Sequence, residues 1–257
     1  MLLVGIHMNI LVEIPKDRNF SSFFQRKQVE KLQSLGNVYW NETDKHFTKQ
    51  EFKGKLQGMD ICITGWGTPV FDEEILEFAD DLKLIAHDAG TIRPMICEAV
   101  YEKGIRVCSG NYIFARSVAE GVLSYSLSAL RKIPEYNAEL LRGNWPGLEG
   151  TRGLYGKKVG LAGYGMIGES VAHLFQAFGC TVFVSSKHMQ SEELQEKGIQ
   201  GASISEIFEI CDIVSIHLGL TEETRGSIGY ELLCKMKDNA LLINTARGEL
   251  IDEEALS

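Results

Sequence analysis

Three glycines form the densest chemical signal in the chain. Gly163, Gly165 and Gly168 stand in a G-x-G-x-x-G pattern, filled out as Gly163-Tyr164-Gly165-Met166-Ile167-Gly168. The apolar run Val159–Ala162 ahead of them reads as a short buried strand, and Glu169–Phe178 behind them reads as a helix. A strand that passes through a tight glycine turn into a helix N-terminus is built to hold the pyrophosphate of a dinucleotide. The first glycine permits the turn, the second lets the backbone approach the phosphates, and the third lets helix pack on strand. The N–H groups and positive dipole end of the helix attract the anion. A plain structural turn is the bland alternative, and the flanking strand and helix argue against it.

A second strand, Thr181–Ser185, follows on schedule. About twenty residues past the fingerprint, an Asp or Glu would accept the ribose hydroxyls of NAD. The positions here read Ser185-Ser186-Lys187-His188, with no carboxylate. Ser186 and Lys187 are the candidate ribose-side residues, and a lysine can pair with the 2′-phosphate of NADP. The cofactor expectation is therefore NAD or NADP, leaning to NADP or dual use, against a merely solvated lysine.

Composition narrows the function classes. A formal net charge of −9 and no basic cluster argue against a nucleic-acid surface. No apolar run is long enough to span a bilayer, and no small-residue cleavage site follows the N-terminus, so neither membrane nor signal peptide is expected. Six cysteines, Cys62, Cys97, Cys108, Cys180, Cys211 and Cys234, show no C-x-x-C spacing, and the six histidines form no H-x-x-x-H pair. Reduced thiols in a cytoplasmic protein, and no metal, are the expectation.

The chain must fold so as to present these residues, and its element pattern says how. In the first half, strands at Asn9–Ile14, Val38–Trp40, Gly58–Thr64, Leu82–Ala86 and Ile105–Cys108 alternate with helices. Those helices are Gln25–Leu35 with Gly36 as C-cap, Lys49–Leu56, Phe71–Phe78, and Pro94–Lys103 with proline at its start. Such alternation means a parallel sheet covered on both faces. Two readings of the start stay open: an extension over Met1–His7, or Met8 as the first residue. Ala115 to about Arg142 reads as one long helix kinked or broken at Pro134. After the fingerprint come the segment Gly198–Ala202, helix Ser205–Ile210, strand Asp212–His217, helix Tyr230–Met236 and strand Ala240–Asn244. The fold class is α/β, two doubly wound parallel-sheet domains, with boundaries at 1–112 and 113–257.

Three segments then suggest a family. Leu161-Ala-Gly-Tyr-Gly-Met-Ile-Gly168, Asp212-Ile-Val-Ser-Ile-His-Leu-Gly-Leu-Thr221 and Leu242-Ile-Asn-Thr-Ala-Arg-Gly-Glu-Leu-Ile-Asp252 together resemble the D-isomer-specific 2-hydroxyacid dehydrogenases. Ser117-Val-Ala-Glu120 and Gly143-x-Trp145 resemble that family too. The resemblance implies a flavodoxin-like substrate domain, a Rossmann domain for a nicotinamide cofactor, and a cleft between them for a small 2-oxo or 2-hydroxy acid. It implies hydride transfer between the nicotinamide and C2 of that acid, and a homodimer through the cofactor domain. Arg247 takes the family's catalytic arginine position, where a planar, permanently charged fork binds a carboxylate. His217, Thr221, Thr245 and Ala246 fall on the cofactor side. The turn Ala89-Gly90-Thr91 takes the place of the amides that hold the substrate carboxylate. The following Ile92-Arg93-Pro94 departs from the family's glycine-rich pattern with its Asp, which leaves the acid unidentified. Trp66, in Gly65-Trp-Gly-Thr-Pro69, is either a wall of the substrate pocket or an ordinary packing residue.

The family's catalytic carboxylate and histidine lie beyond the Asn-Thr-Ala-Arg-Gly segment, and the chain stops at Ser257. Asp252 is a good N-cap for a helix that ends after about one turn, too short to be stable alone. The strand Ala240–Asn244 would also lack a neighbour, leaving an apolar edge. These features lead to the expectation of an incomplete chain, impaired in activity on its own. His217 is a poor substitute for the missing acid because its loop faces the cofactor. A nicotinamide-binding sensor or scaffold without turnover is the alternative function, and the Arg247 segment disfavours a methyltransferase.

Overall fold

The computed structural model describes residues 7–18, 20–147, 149–187 and 191–257. Most of Met1–His7 and His188 lie outside the described residues. The chain divides into two compact units, Met1–Tyr112 and Ile113–Ser257.

The first unit holds the parallel strands β1 (Met8–Val12), β2 (Gly36–Trp40), β3 (Ile61–Thr64), β4 (Leu84–His87) and β5 (Arg106–Ser109), in the order β2-β1-β3-β4-β5. The order reverses direction between β1 and β3, which makes their C-terminal ends a topological switch point. Between the strands lie α1 (Phe20–Phe23), α2 (Arg26–Leu35), α3 (Lys49–Leu56), α4 (Glu73–Leu76) and α5 (Glu98–Glu102). Local chemistry starts two of them. Thr48 and Glu51 form a reciprocal capping box at α3, and the Asp72 carboxylate accepts the Ile75 N–H at α4. A core of Phe52, Leu56, Phe71, Ile75 and Ile85 fills one face of the sheet, with the Phe52 and Phe71 rings edge to face at 5.2 Å. Each such buried side chain contributes about 1.5–3 kcal/mol.

Two expectations for this unit need correction. Gly36 is not a left-handed C-cap: its φ of 168° is extended, and it opens β2 paired with Met8. Pro94 does not begin a helix either. It sits in a turn where Met95 and Ile96 donate to the Ile92 carbonyl, and α5 starts four residues later behind Cys97. Residue Arg93 is steered away from helix by the proline after it, so the regular helix has to begin downstream.

The long helix is in fact two, α6 (Asn111–Leu130) and α7 (Ile133–Leu141). The break falls at Lys132, whose φ of 52° is left-handed, and Pro134 stands in the first turn of α7. Proline's missing N–H costs nothing there, so it initiates α7 and interrupts no helix.

The second unit carries β6 (Lys158–Ala162), β7 (Thr181–Ser185), β8 (Gln200–Gly201), β9 (Ile213–Ile216) and β10 (Leu241–Asn244), all parallel, in the order β10-β9-β6-β7-β8. The helices are α8 (Met166–Ala177), α9 (Ser191–Glu196), α10 (Ile204–Ile210), α11 (Tyr230–Leu233) and α12 (Glu253–Leu256). Two cores sandwich the sheet. One gathers Val159, Leu161, Val171, Phe175 and Ile213, and the other Phe183, Ile207, Phe208, Val214 and Ile216. Strand order and helices on both faces make this a doubly wound Rossmann sheet.

Candidate functional site

The glycine turn leaves the C-terminal end of β6 at the switch point of the second sheet, where the crevice of such folds lies. Gly163 has a φ of +101°, and its N–H donates to the Ser185 carbonyl at 2.9 Å. A Cβ built on Gly163 would stand 2.7 Å from the His217 carbonyl oxygen, so only glycine fits. One on Gly168 would stand 2.7 Å from the Gly163 carbonyl oxygen, which is how closely α8 packs on the turn. Gly165 is different. It is the N-cap of α8, no side chain caps that helix, and a Cβ there would meet nothing within 4 Å among the described residues. The backbone is therefore open on the side where a pyrophosphate would approach the helix N-terminus.

The residues between the glycines anchor the turn. Ile167 and the half-buried Tyr164 ring pack on the core below. The Tyr164 hydroxyl is buried, and burial raises its pKa. Lys197 lies over that ring at 5.6 Å and pairs with Glu169 on α8. Met166 is exposed at the mouth of the turn.

On the neighbouring strand ends, His217 follows β9 and donates its N–H to the Ala162 carbonyl at 2.8 Å. Its Nε2 lies 2.9 Å from the buried Ser215 Oγ, and burial pushes its pKa down to about 4. At neutral pH the ring is uncharged and has no proton to spare as a general acid. Thr221 caps the next loop, its N–H donating to Thr224 Oγ1 at 2.8 Å. Ser186 and Lys187 follow β7, and Lys187 Nζ lies 3.2 Å from Glu223 Oε2 with both side chains mostly exposed.

At the end of β10, Asn244 shapes the turn that carries Arg247. Its Nδ2 donates to the Arg247 carbonyl at 2.8 Å and its Oδ1 accepts the Ala246 N–H at 3.0 Å. Arg247 is exposed and its Nη1 donates to the Ala246 carbonyl at 2.7 Å. Just beyond, a 3-10 turn at Gly248–Leu250 is pinned by the fully buried Leu250 and by a bridge between Ile228 and Ile251. The arginine thus stands on a short, fixed stalk. Thr245 Oγ1 is buried with no hydrogen-bond partner among the described residues, a deficit of about 1–3 kcal/mol that a bound polar group would relieve.

In the first unit, the turn after β4 contains buried Ala89, half-buried Gly90 and exposed Thr91. The turn is set by the Asp88 N–H, which donates to the Thr64 carbonyl at 2.7 Å, and a Cβ on Gly90 would stand 3.3 Å from Asn111 Oδ1. Burial raises the Asp88 pKa to about 6 and lowers that of His87, whose Nδ1 lies 3.1 Å from Thr64 Oγ1. Among the described residues no group of three His, Cys, Asp or Glu side chains gathers to hold a metal ion.

Residues 123–257 match the family model for the NAD binding domain of D-isomer specific 2-hydroxyacid dehydrogenases. The chain belongs to this family. D-3-phosphoglycerate dehydrogenase of Methanocaldococcus jannaschii is 34% identical over 236 residues, 89% of this chain and 43% of that protein. Hydroxypyruvate reductase of Thermotoga maritima is 33% identical over 216 residues, 83% of this chain and 69% of the relative. The structure of a glyoxylate reductase from Paecilomyes thermophila matches with a TM-score of 0.75 at 28% identity, over 98% of this chain and 77% of that one. The chain spans less than half of the first relative and about two thirds of the second.

Within this member of the family, the fingerprint glycines, Ser186, Lys187, His217, Thr221, Thr245, Ala246 and Arg247 all follow the C-terminal ends of β6, β7, β9 or β10 in one sheet. Ala89, Gly90 and Thr91 belong to the first unit. Sequence reasoning missed Asn244 as the shaper of the arginine turn, although an asparagine at a strand end is a known turn former. It also missed Glu223 opposite Lys187. No local signal could have shown that pair, because 36 residues separate the two.

Proposed function

We propose that this dehydrogenase-family protein transfers a hydride between a nicotinamide cofactor and C2 of a small 2-oxo or 2-hydroxy acid. The observation that carries the reading is the open face at Gly165 beside an uncapped helix N-terminus, with Arg247 on the same sheet edge. The NAD binding family model and the names of the relatives, a phosphoglycerate dehydrogenase, a hydroxypyruvate reductase and a glyoxylate reductase, support it.

When bound, the cofactor supplies or accepts the hydride. The chain's own residues do the positioning. Gly163–Gly168 hold the pyrophosphate on backbone amides, and Thr245 and Ala246 meet the cofactor beyond β10. The Arg247 guanidinium fixes the substrate carboxylate and polarises its carbonyl, the charge stabilisation a developing alkoxide needs. In the first unit, the turn Ala89-Gly90-Thr91 offers backbone amides of the kind that hold a carboxylate. His217 stays neutral and orients the cofactor side without moving a proton.

Cofactor choice rests on Lys187 and Glu223. An exposed ion pair is worth only ~0–1 kcal/mol, so either partner is readily taken by a ligand. Lys187 suits a 2′-phosphate, and Glu223 supplies the carboxylate for ribose hydroxyls that the second strand lacks, which favours NADP or dual use. A homodimer fits the exposed apolar side chains Ile133, Leu140, Leu141 and Trp145 at and beyond α7, and light scattering checks it. All six cysteines are free thiols, which suits a reducing compartment such as the cytoplasm.

The test is NAD(P)H oxidation by the protein from its natural source, with glyoxylate, hydroxypyruvate and bulkier 2-oxo acids. Turnover that Arg247→Ala abolishes supports the reading. Tight cofactor binding with no turnover of any 2-oxo acid overturns it in favour of a sensor.

A further inference from the structure

A buried acid in the first unit gathers donors from remote parts of the chain. The Glu13 carboxylate, just past β1, is fully buried and accepts from the Phe47 N–H at 3.2 Å and from the Thr68 hydroxyl. Thr68 Oγ1 itself accepts the Gly65 N–H at 3.0 Å, so its own proton is committed to Glu13. His46 Nδ1 lies 2.8 Å from the same carboxylate, and the other ring nitrogen donates to the Trp66 carbonyl. One histidine thus joins the end of β1, the loop between β2 and α3, and the Gly65–Thr68 turn after β3.

That arrangement fixes the charge of the ring. Glu13 already acts as an acceptor, and a carbonyl oxygen can do nothing else. Both ring nitrogens therefore carry protons, and His46 is an imidazolium. The charges around it agree. Glu13 and Asp17 lie on the β1 side, and Asp88, after β4, lines the same small cavity as His46. Lys16 is paired with Glu42 at 2.6 Å, and Asp44 and Lys45 beside the histidine are exposed. The Glu13 hydrogen bond, opposed by burial, holds the His46 pKa above its ordinary 6.5.

The loop and the turn are held differently. Fully buried Asn41 donates to the Glu13 and Lys45 carbonyls at 2.9 and 2.8 Å and accepts the Thr43 N–H at 3.0 Å, which fixes the loop that carries His46. The turn is anchored at its ends, where the Thr68 N–H reaches the Gly65 carbonyl at 3.3 Å. Its middle rests on the histidine. Gly67 has a φ of +100°, and a Cβ there would stand 2.6 Å from the His46 ring. The Trp66 side chain projects outward with 64% of its surface exposed.

We infer that His46 is a proton-operated lock on this turn, gripping Trp66 as the imidazolium and releasing it as the neutral ring. The buried carboxylate keeps the Nδ1 proton, and the histidine side chain, 26% exposed, gives its Nε2 proton to solvent. Nε2 then turns a lone pair towards the Trp66 oxygen, acceptor against acceptor, and the middle of the turn leaves the ring while Thr68 stays bound to Glu13. A group whose folded pKa is raised stabilises fully below its unfolded value. The lock is therefore closed below about pH 6.5 and opens as pH rises through the higher folded value. It does not depend on the dehydrogenase reading.

The test is NMR of the intact protein carrying fluorotryptophan, titrated from about pH 6 to 9. The Trp66 fluorine resonance is assigned by its loss in Trp66→Phe, and the ring nitrogens of His46 are followed in the same samples. The expected result is loss of the Nε2 proton and a shift of the Trp66 resonance at one shared midpoint above pH 6.5, with Nδ1 still protonated. His46→Gln, which has no ring to titrate, should leave the Trp66 resonance flat across the range. A Trp66 resonance independent of pH in the intact protein, one that shifts equally in His46→Gln, or a His46 ring singly protonated at the acid end overturns the proposal. Should His46→Gln fail to fold, the unsubstituted protein decides alone: a shared midpoint upholds the lock, and separate midpoints refute it.

Discussion

Gly163 and His217 meet across the second sheet with no room for a side chain between them: a Cβ on the glycine would lie 2.7 Å from the histidine's carbonyl oxygen. Two residues 54 positions apart thereby set the mouth of the glycine turn. Gly165, two residues on, faces open space. The same motif thus contains a glycine the fold needs and a glycine only a ligand needs.

That contrast is measurable. Gly163→Ala should destabilise the protein by about 2–4 kcal/mol, from left-handed strain and the clash with the backbone at His217. Gly165→Ala should leave stability within about 0.5 kcal/mol and weaken cofactor binding by at least about tenfold. Urea unfolding and cofactor titration on the two variants check this. Equal stability losses in both would defeat the assignment of separate roles.

Arg247 is exposed and its turn is held by Asn244, so truncating it should hardly touch folding. Arg247→Ala is expected to keep stability within about 0.5 kcal/mol and to lower kcat/KM for a 2-oxo acid roughly 10²–10³-fold. Arg247→Lys should recover little, because an ammonium cannot offer the paired donors of a guanidinium. Steady-state kinetics with parallel melting curves decide the matter, and full activity in Arg247→Ala would remove the arginine from the mechanism.

Lys187 and Glu223 make cofactor choice a charge swap. Lys187→Ala should weaken NADPH by about tenfold and leave NADH nearly unchanged, since only the former carries a phosphate for the lysine. Glu223→Gln should do the reverse, favouring NADPH. Dissociation constants for both cofactors read the outcome, and a wild-type protein that strongly prefers NADH would sink the role given to Lys187.

The buried ring of His217 gives stability a pH dependence whose sign follows from its pKa. Its folded value of about 4 lies below the ordinary 6.5, so between these values the unfolded chain binds a proton that the native state refuses. Stability from this group is full above about pH 6.5 and declines as pH falls towards 4. Asp88 works the other way between 3.8 and about 6, where the native state holds the extra proton. His217→Gln should flatten the acid-side loss in urea midpoints measured from pH 4 to 8. An unchanged slope would mean that the ring titrates normally.

Much of this was legible in the sequence because it is local. The alternation of strand and helix periods gave two parallel sheets, and the glycine spacing located the turn at β6, since backbone strain and helix-terminus electrostatics are properties of a few consecutive residues. The Arg247 segment stood out by resemblance, and Asp252 as an N-cap was readable from residue type and is seen accepting from the Glu254 and Ala255 N–H groups. Element ends were less legible. The helix break fell at Lys132 and not at Pro134 because proline suits a first turn as well as a kink, and packing chooses between them. Gly36 entered a strand because Met8 was there to pair with it.

By itself the sequence determined the fold class, the glycine turn and the chemistry available at the strand ends. Tertiary structure alone decided which distant groups share a charge: Glu223 beside Lys187, Glu13 buried under His46 and Thr68, and Asp88 with Asp17 around Trp66. The physical reason is that backbone geometry is set by neighbours in the chain. Burial and electrostatic partnership are set by neighbours in space, which appear only once the sheets have brought remote strand ends together.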